Sequence, residues 1–495
     1  MNRRIYGTEV EYGMLKKDKS GWCDDTKIPE EIFLGFIENG ARIYHDMRHV
    51  EYATPECSSP EQAVAAEIAG GRLLTKLVYG LKDSKRVVFI KESIGFDAEL
   101  ISAGPFADGR KRYAYGHDYI VSFACHENYS LDPRKISGLL GIKFTEKQWD
   151  YLARKLAPFL ITRQIVAGSG TFVFGPFYLS SRAPFICKLS NPSATANVRS
   201  VINTKEEPLG NVPRLHIVIG ESNMAEIANF LKLGTMGLVL SLMEDGLIQG
   251  SRLQLASVEE AASLIGEIAK DTSCTTRIIP MESNEKISAH ELQKRFYQLA
   301  CSHYPKDEES DAVKQRTEKI LYWWGYVLQC IESGDISKLV GIIDWPTKME
   351  LGRSLLKKYD IRLEDLPAGI RNRVKREEIA MNLRALEQRY HELSDESYYE
   401  HLRKKKIMRS IISDKAIKRL MYFPPRTTRA YGRGSLIRWL KEHPDRVSSA
   451  SIQWDSINLR LKLRDGTTDK RRQIKMDSPF VPMTMDVKRI LKYNR

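Results

Sequence analysis

Two short segments near the start of the chain, GTEVEYG at Gly7–Gly13 and NGARIYHDMRHVEYATPEC at Asn39–Cys57, carry the two-residue alternation of β-strands. Successive side chains on a strand point to opposite faces. Arg42, Tyr44 and Asp46 therefore share one face of the second segment, and Ala41, Ile43 and His45 the other. In the first, Glu9 and Glu11 lie with Gly7 and Gly13, opposite Tyr6, Thr8, Val10 and Tyr12. If the two strands are neighbours, their polar faces form a floor of carboxylates and one arginine, with Glu51 and Glu56 nearby. Hard oxygen ligands suit Mg²⁺ and an arginine suits phosphate oxygens, so such a floor fits a divalent metal holding a polyphosphate. A solvated strand face laced with ion pairs would show the same pattern.

Around these strands the chain alternates breakers and periodic stretches. Lys16–Ile28 is polar and reads as a loop, and Pro29–Glu38 as a short helix with proline in its first turn. Asn39-Gly40 turns the chain into the second strand. Pro60–Leu81 has helical spacing, Arg86–Ile90 (RVVFI) reads as a buried strand, and the Gly-rich stretch Lys91–Tyr119 as a long loop. Thr145–Gln148 is a capping box for a helix running to Ala167, where Gly168 and Gly170 stop it. The GSG there lacks the strand-turn-helix setting of a dinucleotide fingerprint, and no Walker A sequence occurs. Arg214–Gly220 alternates again, with Arg214, His216 and Val218 on one face, and leads into a long apolar stretch expected as a buried helix. From there to about Tyr399 the chain reads as mostly helical, with Tyr322-Trp323-Trp324 as core.

The composition, 42% apolar and 28% charged over 495 residues, is that of a globular protein with ample core. The N-terminus lacks the apolar run of a signal peptide and no stretch approaches the ~18 apolar residues of a membrane span, so a cytoplasmic protein is expected. Seven scattered cysteines, none as C-x-x-C, argue against a disulfide framework and a structural zinc site. The formal charge of +14 is uneven: fourteen Lys/Arg stand against three Asp/Glu between Arg403 and Arg446. That concentration suits an anionic partner.

Past Phe423-Pro424-Pro425 the last seventy or so residues read as a small unit. Ile452–Leu463 is expected as a strand burying Ile457, Leu459, Leu461 and Leu463, with a turn at Asp465-Gly466 and a return strand at Arg472–Met476. Trp454 then falls on the polar face. It could stack on a flat heterocycle such as adenine or cover a domain boundary.

Taken together, GTEVEYG, NGARIYHD…EYATPEC, CHENY at Cys125–Tyr129, TRQIVAGSG, RLHIVIGESNMAE, LKLGT, IDWPTK, PPRTTRAYGRG and QWDSI resemble, in order and over nearly the whole chain, the superfamily of Pup ligases and Pup deamidases/depupylases. The resemblance implies an α+β, glutamine-synthetase-like fold: a curved antiparallel sheet cradle packed with helices over residues 1–420, and a small C-terminal domain over 421–495. It places Glu9, Tyr44 and Glu51 at magnesium positions, with Glu11 beside them. Arg42, Thr54 and Trp454 fall at nucleotide contacts, to which Arg214, His216 and Arg433 are added, and Asp46 is the catalytic residue.

The implied chemistry uses ATP and Mg²⁺ on the C-terminal Gln or Glu of a small, acidic, disordered Pup-like modifier. GTEVEYG, LKLGT, TRAY and WDS resemble the deamidase/depupylase branch more closely, while CHENY and the terminal SPF…VKRIL lean to the ligase. Amide or isopeptide hydrolysis is the expected direction. The alternative is ligation of the modifier to surface lysines of target proteins through an acyl phosphate. The expected partners are thus the modifier and its targets, with no membrane. Nucleic acid is not expected, although the basic stretch with Tyr431 and Trp439 interleaved would also serve a nucleic-acid-binding protein.

Overall fold

The first strand, β1 (Tyr6–Lys17), is long enough to pair with four others. The protein's structure is a computed structural model that describes residues 2–17, 22–25, 35–46, 49–79, 87–92, 94–97, 114–115, 118–136, 144–173, 176–192, 199–205, 208–248, 252–366, 373–462 and 471–492. The alternation read from the sequence holds: Tyr6, Val10 and Tyr12 are buried, and Glu9 and Glu11 occupy the opposite, half-open face.

Beyond β1 come β2 (Trp22–Asp25), β3 (Gly35–Phe36), β4 (Arg42–Asp46), β5 (His49–Ala53), α1 (Pro60–Tyr79) and β6 (Val87–Ile90). Then follow β7 (Ile94–Asp97), β8 (Ala114–Tyr115), β9 (Asp118–Ser122), β10 (Cys125–Ser130), α2 (Glu146–Thr162), α3 (Gln164–Ala167), β11 (Lys188–Asn191), β12 (Ser200–Asn203) and β13 (Arg214–Ile217). The main sheet runs β11-β12-β13-β10-β1-β5-β4-β3, antiparallel except for β11 with β12. The far end of β1 pairs with β2 and β6 instead.

The structure corrects four expectations in this part of the chain. The segment Asn39–Cys57 forms two strands, not one: β5 pairs with β1, and the strand carrying Arg42, β4, lies one place further out, which brings Glu51 into the middle of the floor. Lys16–Ile28 is not all loop: β1 continues to Lys17 and β2 returns along it, paired through backbone groups that polar side chains do not prevent. Gly35–Phe36 is a strand, and Glu38–Gly40 a turn in which the Asn39 side chain accepts from the Ala41 amide and donates to the Tyr52 hydroxyl. Residues 29–34 of that expected helix lie outside the described residues. Part of the expected Lys91–Tyr119 loop forms a three-stranded sheet, β7-β9-β8; residues 98–113, like the turn expected at Asp465-Gly466, also lie outside them.

Helices cover the apolar face of the sheet. At Gly70 of α1 a Cβ would stand 2.3 Å from the Tyr52 ring, so the missing side chain lets the helix lie directly on β5. The capping box at Thr145 and Gln148 opens α2 as expected. Next comes α4 (Glu226–Glu244), every residue of which is buried. It is long and apolar enough to cross a membrane, contrary to the expectation that no stretch approaches a span. Its N-terminus has no side-chain cap of its own; the Asp344 carboxylate accepts from the Met224 and Ala225 amides instead, both at 3.0 Å.

After α5 (Ala261–Lys270), the two-stranded β14 (Ile279–Pro280) and β15 (Lys286–Ile287), and α6 (Ala289–His303), the chain enters α7 (Asp311–Glu332). Only Trp324 of its expected aromatic core is buried. Tyr322 faces outward, since consecutive helical residues cannot all face one side. The remaining helices are α8 (Asp344–Leu356), α9 (Arg373–His391), α10 (Tyr398–Lys404), α11 (Asp414–Tyr422) and α12 (Ala430–Glu442).

Beyond α12 stand β16 (Val447–Ile452), β17 (Ser456–Leu461), β18 (Arg472–Lys475) and α13 (Met485–Lys492). They share a separate apolar cluster with α12, in which Leu436, Trp439, Ile457, Leu459 and Ile474 meet. The expected single strand Ile452–Leu463 is in fact broken. The chain reverses at Gln453–Asp455, so Trp454 sits on the tip between β16 and β17 rather than on a strand face.

Candidate active site

Directly opposed residues on antiparallel strands share a face. In register, Glu11 opposes Glu51 and Glu51 opposes Tyr44; one row over, Glu9 opposes Ala53, and Ala53 opposes Arg42. On the other flank His126 opposes Glu9, and Asn128 opposes His216. Five strands, β13-β10-β1-β5-β4, thus pave one continuous polar floor.

The floor carries two groups of ligand atoms. Glu11, Asp46 and Glu51 each place a carboxylate oxygen so that all lie within 4.8 Å of one another, and a carboxylate oxygen of Glu9 lies equally close to ring nitrogens of His126 and His216. The first set is all oxygen and fits Mg²⁺; the second mixes oxygen and nitrogen. Of the residues expected around magnesium, Glu11 and Glu51 join Asp46, and Tyr44 donates its hydroxyl to Glu51. Glu9 stands with the histidines, its Oε2 3.4 Å from His126 Nδ1 and 3.4 Å from His216 Nε2.

Electrostatics separates these acids. Burial works against the charge on Glu9, but His216, His126 and Arg214 outweigh it and hold the carboxyl well below its ordinary range. Burial, and then the charges of Glu9 and Glu11, push Glu51 well above. Carboxylates crowded in this way suit a divalent cation, so the residues present fit the metal. Burial, followed by Arg214, lowers His216 to about 4, against the pull of Glu9 in the other direction.

Beside the floor opens a cavity of about 290 Å³ whose wall includes Glu9, Arg42, Tyr44, Thr54, Arg214 and Trp454. Five of the residues expected at the nucleotide or metal thus meet a sixth, Trp454, brought from the far end of the chain. The Arg42 guanidinium lies 4.8 Å from the Tyr44 ring centre and 5.5 Å from that of Phe36. Thr54 accepts the Thr8 amide at 2.8 Å, which ties the end of β5 to β1. Arg214 is held by Asn128 at 3.0 Å, with its Nη1 3.7 Å from Glu9. His216 reaches Glu9 but not the cavity wall.

Two expected members are bound to each other instead: Glu56 lines the cavity, whereas Arg433 lies behind it. Arg433 is fully buried outside the cavity wall, bound to Gly40, Glu56 and the Trp454 carbonyl, and no donor remains for a phosphate. Glu56, counted among the floor carboxylates, is held by Arg433 and by Arg429 at 2.7 Å. Burial opposes its charge, but the two arginines keep it at about 2. Arg429 and Phe36 were missed by the sequence reading. The four-residue spacing of Arg429 and Arg433, which puts both on one helix face, was the available signal.

A family model described as Pup-ligase protein matches residues 24–458. The Pup--protein ligase of Acidimicrobium ferrooxidans is 30% identical, over 99% of this chain and 98% of its own length. That of Mycobacteroides abscessus is 28% identical over 99% of both. Among solved structures, the Pup ligase PafA bound to Pup matches with a TM-score of 0.76 at 24% identity, covering 99% of this chain and 92% of its own. PafA in complex with ADP matches with a TM-score of 0.72 at 24% identity, covering 94% and 90%. These structures share the fold: a largely antiparallel sheet packed with helices, followed by a small C-terminal unit. With the family model spanning most of its length and a full-length relative at 30% identity, this chain belongs to the Pup-ligase family of enzymes.

Proposed function

We propose that the enzyme works as a ligase, using ATP and Mg²⁺ to join the side-chain carboxylate of a Pup-like modifier's C-terminal glutamate to a lysine of a target protein. The observation that carries this is the placement of a cavity walled by Arg42, Thr54, Arg214 and Trp454 against a floor holding Glu11, Asp46 and Glu51. The sequence motifs lean to hydrolysis. Full-length relatives named Pup--protein ligase support the joining direction instead.

Amide formation from a free carboxylate is uphill in water, so the carboxylate must first be activated. Its oxygen attacks the γ-phosphorus of ATP, forming an acyl phosphate and releasing ADP. Mg²⁺, which Glu11, Glu51 and the neighbouring Tyr44 and Glu9 would hold, supplies charge neutralisation on the polyphosphate. Arg42 and Arg214 bind phosphate oxygens, and Trp454 offers its ring to the base. The lysine amine then attacks the acyl carbon and phosphate leaves. Asp46, on the floor rather than in the cavity wall, takes the proton that the amine loses.

The modifier is acidic, and the surface after α10 is basic. Lys404, Lys405, Lys406, Arg409, Lys415 and Arg419 are all exposed there and would steer it.

The test supplies ATP, Mg²⁺, a lysine-bearing acceptor and three synthetic modifier tails, ending in Gln, in Glu, or in Glu already isopeptide-linked to lysine. Conjugate formed from the Glu tail, with ADP released, is expected. Ammonia from the Gln tail, or cleavage of the linked tail, without any conjugation would return the enzyme to the hydrolytic reading.

A further inference from the structure

Arg433 spends every N–H it has on the protein. Its Nε donates to the Gly40 carbonyl at 3.1 Å, Nη1 to Glu56 Oε1 at 3.0 Å and to the Trp454 carbonyl at 2.6 Å, and Nη2 to Gly40 at 2.7 Å and Glu56 Oε2 at 2.5 Å. Those bonds use all five donors of a guanidinium. Its plane also lies against Trp454, 4.8 Å from the ring centre. Phe36 lies edge-on to the Trp454 ring, at 4.9 Å and 82°, and 5.3 Å from the same guanidinium.

The groups so gathered come from distant parts of the chain: a turn before β4, the loop after β5, and the β16–β17 tip. Gly40 has φ +83°, and a Cβ there would stand 3.0 Å from the Ala430 carbonyl oxygen, so only glycine presents its own carbonyl to α12 this closely. Glu56 is anchored in turn by Arg429.

We infer that Arg433 is a positioning residue that sets where Trp454 stands in the cavity wall, with Glu56 fixing Arg433; this rests on the ATP reading above. Arg433 does not itself line the cavity, but Trp454 and Glu56, which it holds, both do. Of the two, only Trp454 offers a ring face, and it is the indole that the guanidinium lies against, so the effect of Arg433 is expected at the base of a nucleotide rather than at its phosphates.

The experiment uses the full-length enzyme with Arg433→Lys, Glu56→Gln and Trp454→Ala, each checked for cooperative thermal unfolding. Mg-ATP and Mg-tripolyphosphate binding are measured by calorimetry, and amide hydrogen exchange is followed at Gln453–Asp455. Arg433→Lys is expected to weaken ATP roughly tenfold, the scale of one lost base stack, and to leave tripolyphosphate unchanged. In the Trp454→Ala background it should add nothing. Exchange at the tip should quicken with no change in the centre of β17. If Arg433→Lys does not fold, Glu56→Gln, whose side chain itself lines the cavity, is read by exchange at the tip, which is expected to quicken in the same way. Equal weakening of both ligands, full additivity with Trp454→Ala, or unchanged exchange at the tip would overturn the positioning role. Wild-type enzyme that binds ATP no more tightly than tripolyphosphate, while tip exchange still responds to Arg433→Lys, would overturn the ATP reading and leave the clamp standing.

Discussion

Glu11 and Glu51 face each other directly across β1 and β5, and Glu51 is 1% exposed. Like charges opposed on neighbouring strands repel, and burial strengthens the repulsion. The protein answers locally: Glu11 accepts the Ala124 amide at 2.9 Å, and Glu51 accepts the Tyr44 hydroxyl. Neither contact cancels charge. A divalent cation between them would turn the mutual cost into shared attraction.

The first prediction follows from that pair. Glu51→Gln removes one of the opposed charges, so the metal-free enzyme should gain about 1 kcal/mol of stability. It should lose the stabilisation that Mg²⁺ gives the wild type by mass action. Thermal unfolding in EDTA and in excess Mg²⁺ checks both. A variant that Mg²⁺ stabilises as strongly as the wild type would place the ion elsewhere.

Asp46 stands in the same carboxylate group but outside the wall of the cavity proposed for ATP. Asp46→Asn should therefore slow conjugation by at least ~100-fold, the scale of a lost general base, while ATP affinity stays as it was. Rates from gel-resolved conjugation and affinities from calorimetry report the two separately. Retained turnover would show that another group takes the proton.

Glu56 gives a prediction in acid. Burial disfavours its charge, but Arg433 and Arg429 prevail and hold it at about 2, against an ordinary 4.5. A carboxyl lowered on folding stabilises the protein above its unfolded value, and that contribution fades as pH falls from about 4.5 toward 2. Its size is roughly 3 kcal/mol at neutral pH. Glu56→Gln should therefore be less stable than wild type at pH 6, with the gap closing as acid is added. A gap independent of pH, in denaturant titrations from pH 6 to 2.5, would deny the paired carboxylate.

The basic surface is smaller than the sequence count suggests, because Arg429 and Arg433 are buried on Glu56. The exposed run Lys404–Lys406 remains. Reversing those three charges to glutamate should weaken modifier binding and flatten its salt dependence, since exposed charges act through a screened field. Fluorescence anisotropy with a labelled modifier, at two ionic strengths, reads both. Equal binding by the reversed variant at low salt would move the docking surface elsewhere.

Much of the floor was legible because strand alternation is a local rule. It needs only the order of Glu9, Glu11, Arg42, Tyr44 and Asp46, and the structure keeps each on the face so derived. Pairing between strands is not local. Nothing in the order of residues said that the chain would fold back at once after β4 and slide β5, with Glu51, between β4 and β1. The tip at Trp454 was hidden for a related reason: Gln453–Asp455 contains neither glycine nor proline, so alternation reads straight through the reversal. Trp454 reaches the cavity because it sits on that tip, not because it faces out from a strand. The bond from Arg433 to Glu56 spans 377 positions, and no periodic pattern in one chain reports contacts so remote.

Trapping of an activated carboxylate tests the central claim most directly. The enzyme is incubated with ATP, Mg²⁺ and a modifier tail ending in Glu, with hydroxylamine in place of an acceptor lysine, and the tail is examined by mass spectrometry. A hydroxamate at the terminal glutamate side chain, formed in step with ADP and only when ATP is present, is the predicted result. ADP-independent hydroxamate, or none from an enzyme that still deamidates a tail ending in Gln, would contradict a floor built to make an acyl phosphate.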